Sequence, residues 1–301
     1  MIIDTSKSSL PIFQALANKT RLGIINNLAT GEMNIGEIAK KLGISNPITT
    51  RHVQQLEEAG IVKTRRTPGK FGLQKIVSLA ISEIDINFPE KIFPEYRLYE
   101  TDVMLGHFTD YQVEPTCGLA DEKNYIGLVD QSISFLDSQR VNAQLIWVGK
   151  GYFEYKIPNS ISADDHPELL DISFEIASEF PISNNDWPSD ITYYINGKKL
   201  GTDLVKGNYA DVRGRLTPIW WPDTCSQYGE IKHIRIGQYD TSIDGVPLSS
   251  VNIHDLNLEN TDYFTFRIAS EENTEHVGGL TLFGEKWGNH AQSIKVLTYV
   301  S

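Results

Sequence analysis

Cysteine is scarce in this chain: Cys117 and Cys225 are the only two in 301 residues. Two thiols cannot build a disulfide framework and show no ligand-type spacing, so a reducing compartment is the simpler reading. No apolar run approaches the roughly 18 residues of a membrane span. The opening MIIDTSKSS has no basic stretch followed by an apolar segment, so neither a leader nor a membrane anchor is expected, and the location read from this is cytoplasmic. Also missing are G-x-S-x-G, H-E-x-x-H, C-x-x-C and a phosphate-binding glycine loop. No catalytic residue, metal ligand or cofactor is therefore expected.

Basic charge is in short supply overall, with 27 Lys and Arg against 39 Asp and Glu and a net charge of −12. Its distribution is uneven. Residues 1–80 hold eleven basic and five acidic side chains, whereas residues 81–301 hold sixteen and thirty-four. A basic head on an acidic body predicts that only the head meets a polyanion. At 40% hydrophobic and 22% charged, the chain has the composition of an ordinary globular protein rather than a disordered or fibrous one.

Helical periodicity fills the head. Phe13, Leu16, Ala17, Ile24, Ile25 and Leu28 predict a first helix over residues 10–28, with Gly31 as its stop. Asn34-Ile35-Gly36-Glu37 matches a capping-box start for a short second helix closed by Gly43. Ser45-Asn46-Pro47 then offers a cap and a first-turn proline for a third helix running to about Ala59. Two helices across a glycine-bearing turn describe a helix-turn-helix. The β-rich runs Ile61–Arg66 and Leu73–Ala80, separated by Pro68, Gly69 and Gly72, complete a winged helix.

In that motif the start of the second helix faces base edges, so Ser45, Asn46, Pro47, Ile48, Thr50 and Arg51 are the candidate groove-reading residues. The wing offers Lys63, Arg65, Arg66, Lys70 and Lys75 for phosphate contacts. His52 suits a phosphate contact or a packing role equally well.

Phe13-Gln14-Ala15-Leu16-Ala17-Asn18-Lys19-Thr20-Arg21-Leu22 and Ser45–Val62, reading SNPITTRHVQQLEEAGIV, closely resemble the opening and the recognition helix of ArsR-type winged-helix repressors. The resemblance covers about residues 10–80 and implies a transcriptional regulator that binds double-stranded operator DNA as a homodimer. Many members of that family sense metals through cysteines where this chain has Met33-Asn34-Ile35-Gly36. Pro89 and Pro94 interrupt the stretch in which the family places a dimerisation helix with Asp and His ligands. Both familiar metal sites are thus expected to be absent.

Beyond the wing the period changes to alternation, as in Asp171–Ile176 and Asp262–Ile268. Gly149-Lys150-Gly151 predicts a hairpin between 144–148 and 152–157, and Asn196-Gly197 another between 192–195 and 198–200. The expected architecture is an α+β multidomain chain: a winged helix-turn-helix over 1–82, then an all-β, jelly-roll-like sandwich over 83–301. Gly151–Lys156, Asn185–Ile191 and Gly278–Gly284 resemble the sandwich half of long ArsR-type regulators, which implies a ligand sensor.

Tryptophans beside carboxylates and amides suit a small carbohydrate effector, for which Asn185, Asp186, Trp187, Asp190, Arg213, Arg215, Trp220, Trp221 and Asn289 are the candidates. The alternative for each tryptophan is a core plug at the end of the sandwich. Taken together, these readings predict a homodimeric repressor controlled by a small ligand. Two alternatives are a glycosidase-like sandwich and a metal sensor with ligands relocated to His107, Asp110 and Cys117.

Overall fold

The computed structural model describes residues 1–69, 72–88, 96–162, 164–259 and 261–301. The chain divides into two units, Met1–Pro94 and Glu95–Ser301. The first contains β1 (Ile2–Asp4), α1 (Leu10–Leu16), α2 (Lys19–Leu28), β2 (Met33–Asn34), α3 (Ile35–Leu42), α4 (Asn46–Glu58), β3 (Val62–Gly69), β4 (Gly72–Leu79) and β5 (Asp85–Asn87). Its strand β5 pairs in parallel with β1. Residues 85–87 therefore belong with the head, and the division falls after Pro94 rather than after residue 82. Pro89, Pro94 and Lys70 lie outside the described residues.

The first predicted helix is two. Asn18 adopts an extended conformation and its side chain accepts from the Thr20 and Arg21 N–H groups, so it caps α2 instead of continuing α1. The capping box at α3 forms as the sequence predicts, with the Asn34 side chain on Glu37 N–H and the Glu37 carboxylate on Asn34 N–H. Gly43 closes α3 in the left-handed region at φ 65°, where a glycine carries no Cβ penalty. Ile24, Leu28, Ile38, Val53, Leu56 and Val77 pack as the core beneath the α3–α4 pair and the β2-β4-β3 sheet.

The second unit is antiparallel throughout its paired strands. It runs through β6 (Arg97–Val103), β7 (Asp110–Ala120), β8 (Tyr125–Ile126), β9 (Leu145–Pro158), β10 (Pro167–Ala177), β11 (Ser189–Ile195), β12 (Lys198–Val205), β13 (Glu230–Ile236), β14 (Thr241–Ile243), β15 (Val246–Ser249), β16 (Tyr263–Ser270), β17 (Leu280–Phe283) and β18 (Ile294–Val300). One layer is ordered β12-β11-β16-β9, with β7 on the far side of β9; the other is β15-β14-β13-β10-β18-β6. The strand β17 pairs with both β9 and β10 and joins the layers. Phe153, Tyr155, Phe174, Tyr193, Ile234, Phe266 and Val296 come from alternate positions of facing strands and fill the space between them. The result is the expected sandwich.

The hairpin expected at Gly149-Lys150-Gly151 is not one, because β9 continues straight through it. A Cβ on Gly149 would press on the Pro115 carbonyl oxygen and one on Gly151 would collide with that of Gln112. The neighbouring β7 shifts register between Glu114 and Cys117 at this point. These glycines mark a bulge with close backbone approach, not a turn. Asn196-Gly197 does form the predicted hairpin, with both residues at positive φ, 49° and 73°.

Candidate nucleic-acid interface

The α4 helix buries one face and leaves the other open. Thr49, Val53 and Leu56 point into the core, while Ser45, Asn46, Pro47, Ile48, Thr50, Arg51 and Gln54 are exposed. All six predicted reading residues therefore share an accessible surface at the start of the helix. The Ser45 side chain makes no capping bond, so the positive end of α4 is not occupied by its own cap. Gln54 extends the same face one turn further, and its spacing of four from Thr50 is the sequence signal that points to it.

Resemblance residues outside this face have structural work. The Arg21 guanidinium donates to the Ala15 carbonyl oxygen at 2.5 Å, the Gln14 carbonyl oxygen at 2.5 Å and Gln55 Oε1 at 2.7 Å. It thereby ties α1, α2 and α4 together. His52 is half-buried, its Nδ1 has no hydrogen-bond partner among the described residues, and burial, then Arg21 and Arg51, push its pKa down. A neutral imidazole offers no charge to a phosphate, so packing is the role the geometry favours.

The wing is β3 and β4 in register, with Arg66 opposite Lys75. Lys63, Arg65 and Arg66 are exposed and Lys75 is half-buried. Two of the four are already paired: Arg65 Nη2 lies 2.6 Å from Glu32, and Lys75 Nζ 2.9 Å from Glu57. The Arg65 bond holds the Glu32 carboxyl below its usual value. The Thr64 hydroxyl, ahead of Lys75, does the same for Glu57. Among the described residues no ion pair engages Lys63, Arg66 or Arg51, although Lys63 adds a weaker Coulombic pull on the Glu32 carboxyl.

The nominated ligand residues of the second unit fall in three places. Asn185 and Asp186 are exposed, Trp187 packs edge-on against Phe180 at 4.8 Å, and Asp190 accepts from His276 N–H at 2.9 Å. Arg213 pairs with Asp223, and Trp220 and Trp221 stack near-perpendicularly at 5.6 Å. Trp220 Nε1 donates to the Glu122 carbonyl oxygen at 2.7 Å. Asn289 accepts from Arg215 N–H at 2.9 Å while its own N–H donates to the buried Glu175 carboxylate, also at 2.9 Å. Of these nine residues, Trp221 lines a cavity with aromatic and acidic walls.

His107 and Asp110 flank the entry to β7, and Asp110 accepts from the Tyr152 hydroxyl at 2.8 Å. Cys117 is buried, and burial ahead of Asp130 and Glu179 pushes its thiol up to about 11. A group of three His, Cys, Asp or Glu side chains arranged to hold a metal is absent among the described residues. No helix among them is long and apolar enough to cross a membrane.

Residues 18–64 match the family described as bacterial regulatory protein, arsR family. An HTH-type transcriptional regulator of Mycobacterium tuberculosis is 36% identical over 63 residues, which are 21% of this chain and 59% of that protein. The biofilm growth-associated repressor of Agrobacterium fabrum is 42% identical over 55 residues, 18% of this chain and 47% of the repressor. The chain thus spans about half the length of these curated relatives. A solved structure, the homodimeric winged helix-turn-helix DNA-binding domain of a possible ArsR-family regulator from Mycobacterium bovis, is 30% identical, covers 24% of this chain and 65% of its own, and has a TM-score of 0.22. With the capped α3–α4 pair and the β3–β4 wing in place, the chain carries an ArsR-family helix-turn-helix domain at its N-terminus.

Proposed function

We propose that the protein is a DNA-binding transcriptional repressor that acts as a homodimer, with α4 entering the major groove and the wing resting on the flanking backbone. The observation that carries this reading is the exposed α4 surface of Asn46, Pro47, Ile48, Thr50, Arg51 and Gln54, flanked by the unpaired charges of Lys63 and Arg66 in an ArsR-type domain. The relative from Agrobacterium fabrum named as a repressor supports the reading of this chain as a transcriptional repressor. The second unit is read as the effector domain. A ligand that binds one DNA-binding arrangement of the dimer better than another shifts the population between them and changes operator affinity.

The test is binding of the full chain to a duplex enriched from a random pool, followed by fluorescence polarisation across a salt series. Binding should weaken steeply with salt, and Arg66→Ala should lower the slope of log affinity against log salt by about one. Affinity without salt dependence, or no enriched duplex, would overturn the reading.

A further inference from the structure

A cavity in the second unit combines aromatic and acidic lining. It has a volume of about 180 Å³ and lies beside the bulge of β7 and β9. Trp147, Trp221 and Tyr125 form one wall, with ring centroids 5.5 to 6.3 Å apart and planes inclined by 53° to 71°. Phe180 lies on the lining as well, and the polar side chains there include Asp130, Glu179 and Thr116. Two acidic residues, Asp130 and Glu179, belong to the lining, which among the described residues contains no Lys, Arg or His.

Both carboxyls are held by hydrogen bonds, Asp130 at an exposed position and Glu179 at a buried one. Asp130 sits in the left-handed region at φ 59°, a conformation Asp tolerates better than most residues. Its backbone N–H donates to the Cys117 carbonyl oxygen at 2.8 Å, and its Oδ1 accepts from Cys117 N–H at 2.8 Å. No cation pairs with it among the described residues. Glu179 is buried, with Oε1 3.0 Å from the Thr116 hydroxyl and Oε2 2.9 Å from the Thr281 hydroxyl. Gly279 leaves room for it, since a Cβ there would press on the Glu179 side chain. A buried carboxyl with two neutral hydroxyl partners and no counter-cation among the described residues is held in its neutral form, and a cation entering beside it would favour the ionised one.

Aromatic faces attract cations through their quadrupole, and a carboxylate adds a direct Coulombic partner. The same walls repel phosphates and carboxylates. We propose that this cavity binds a small organic cation, an alkyl- or methylammonium group, with Trp147, Trp221 and Tyr125 as the aromatic wall, Asp130 as its anionic partner and Glu179 as a polar acceptor beside it. The acidic second unit draws such a ligand in over distance. The proposal deepens the effector reading, and rests on it only for the consequence on DNA.

The experiment titrates choline and tetramethylammonium into the full chain, with glucose as the neutral arm and sodium chloride as the ionic-strength control, following tryptophan fluorescence. A saturable change with the ammonium probes, weakened about tenfold by Asp130→Asn and also weakened by Tyr125→Leu, is the expected result. Asp130→Asn keeps the acceptor for Cys117 N–H, so the loop is retained; matching unfolding midpoints verify this. No saturable change up to millimolar concentrations, a change with glucose alone, or ammonium binding indifferent to Asp130→Asn would overturn the proposal. Duplex affinity measured with and without choline separates the two readings: choline binding that leaves the DNA complex untouched keeps the site and removes its effector role.

Discussion

The two units carry polar chemistry in opposite directions. In the first, charge faces outward: Arg51, Lys63 and Arg66 stand on the surface of α4 and the wing, over a core of Ile24, Ile38, Val53 and Leu56. In the second, carboxyls are drawn inward. Asp171, Glu175 and Glu179 are all buried, each held by hydrogen bonds. A surface that reads a polyanion needs accessible charge and few internal partners. A cavity that discriminates small ligands needs polar groups fixed against an apolar wall.

This contrast can be broken or sharpened by mutation, beginning with the largest effect. Phe174 is fully buried between the layers of the sandwich, so Phe174→Ala should cost about 3–5 kcal/mol in urea-induced unfolding of the second unit. A loss below about 1 kcal/mol would mean that the core there is looser than the packing indicates.

Next comes the pH dependence of the same unit. Burial pushes the Glu179 carboxyl up to about 8 against an ordinary 4.5, with Asp130 adding to the shift while Thr281 and Thr116 oppose it. The native state then holds a proton that the unfolded chain releases. Its contribution is present in full below pH 4.5 and is lost as pH rises toward 8. Thermal unfolding should show this decline, and Glu179→Gln should flatten it; an unchanged pH profile in the variant would refute the assignment.

In the first unit smaller effects are expected. Asn18→Ala removes the cap of α2 and should lower stability by about 1 kcal/mol, read from thermal unfolding, with little change in duplex affinity once folding is allowed for. Glu32→Gln should act in the opposite sense to the other variants. By releasing Arg65 from its ion pair it should tighten duplex binding by a few-fold at low salt and less at high salt; weaker binding would show that the pair orients Arg65 for contact.

The helix-turn-helix was legible because its signals are local. Asn34 and Glu37, Gly43, and Ser45 with Pro47 each sit within one or two turns of the feature they set. The break between α1 and α2 was hidden because Leu16, Ala17 and Ile24 keep a helical spacing across it, and only the Asn18 side chain settles the matter. At Gly149 and Gly151 the glycines respond to the carbonyls of a strand more than thirty residues away, and that contact leaves no trace in their own neighbourhood. The cavity draws on residues between Thr116 and Ser226. No spacing rule brings those positions together, which is why Trp221 was nominated without Trp147, Asp130 or Glu179.

The central claim is that α4 is the surface that meets DNA. It is tested most directly by the affinity of the full chain and its Arg51→Ala variant for one enriched duplex at fixed salt. Loss of a base or phosphate contact predicts binding weakened by about tenfold or more with an unchanged unfolding midpoint. Equal affinity of the two proteins would contradict the account.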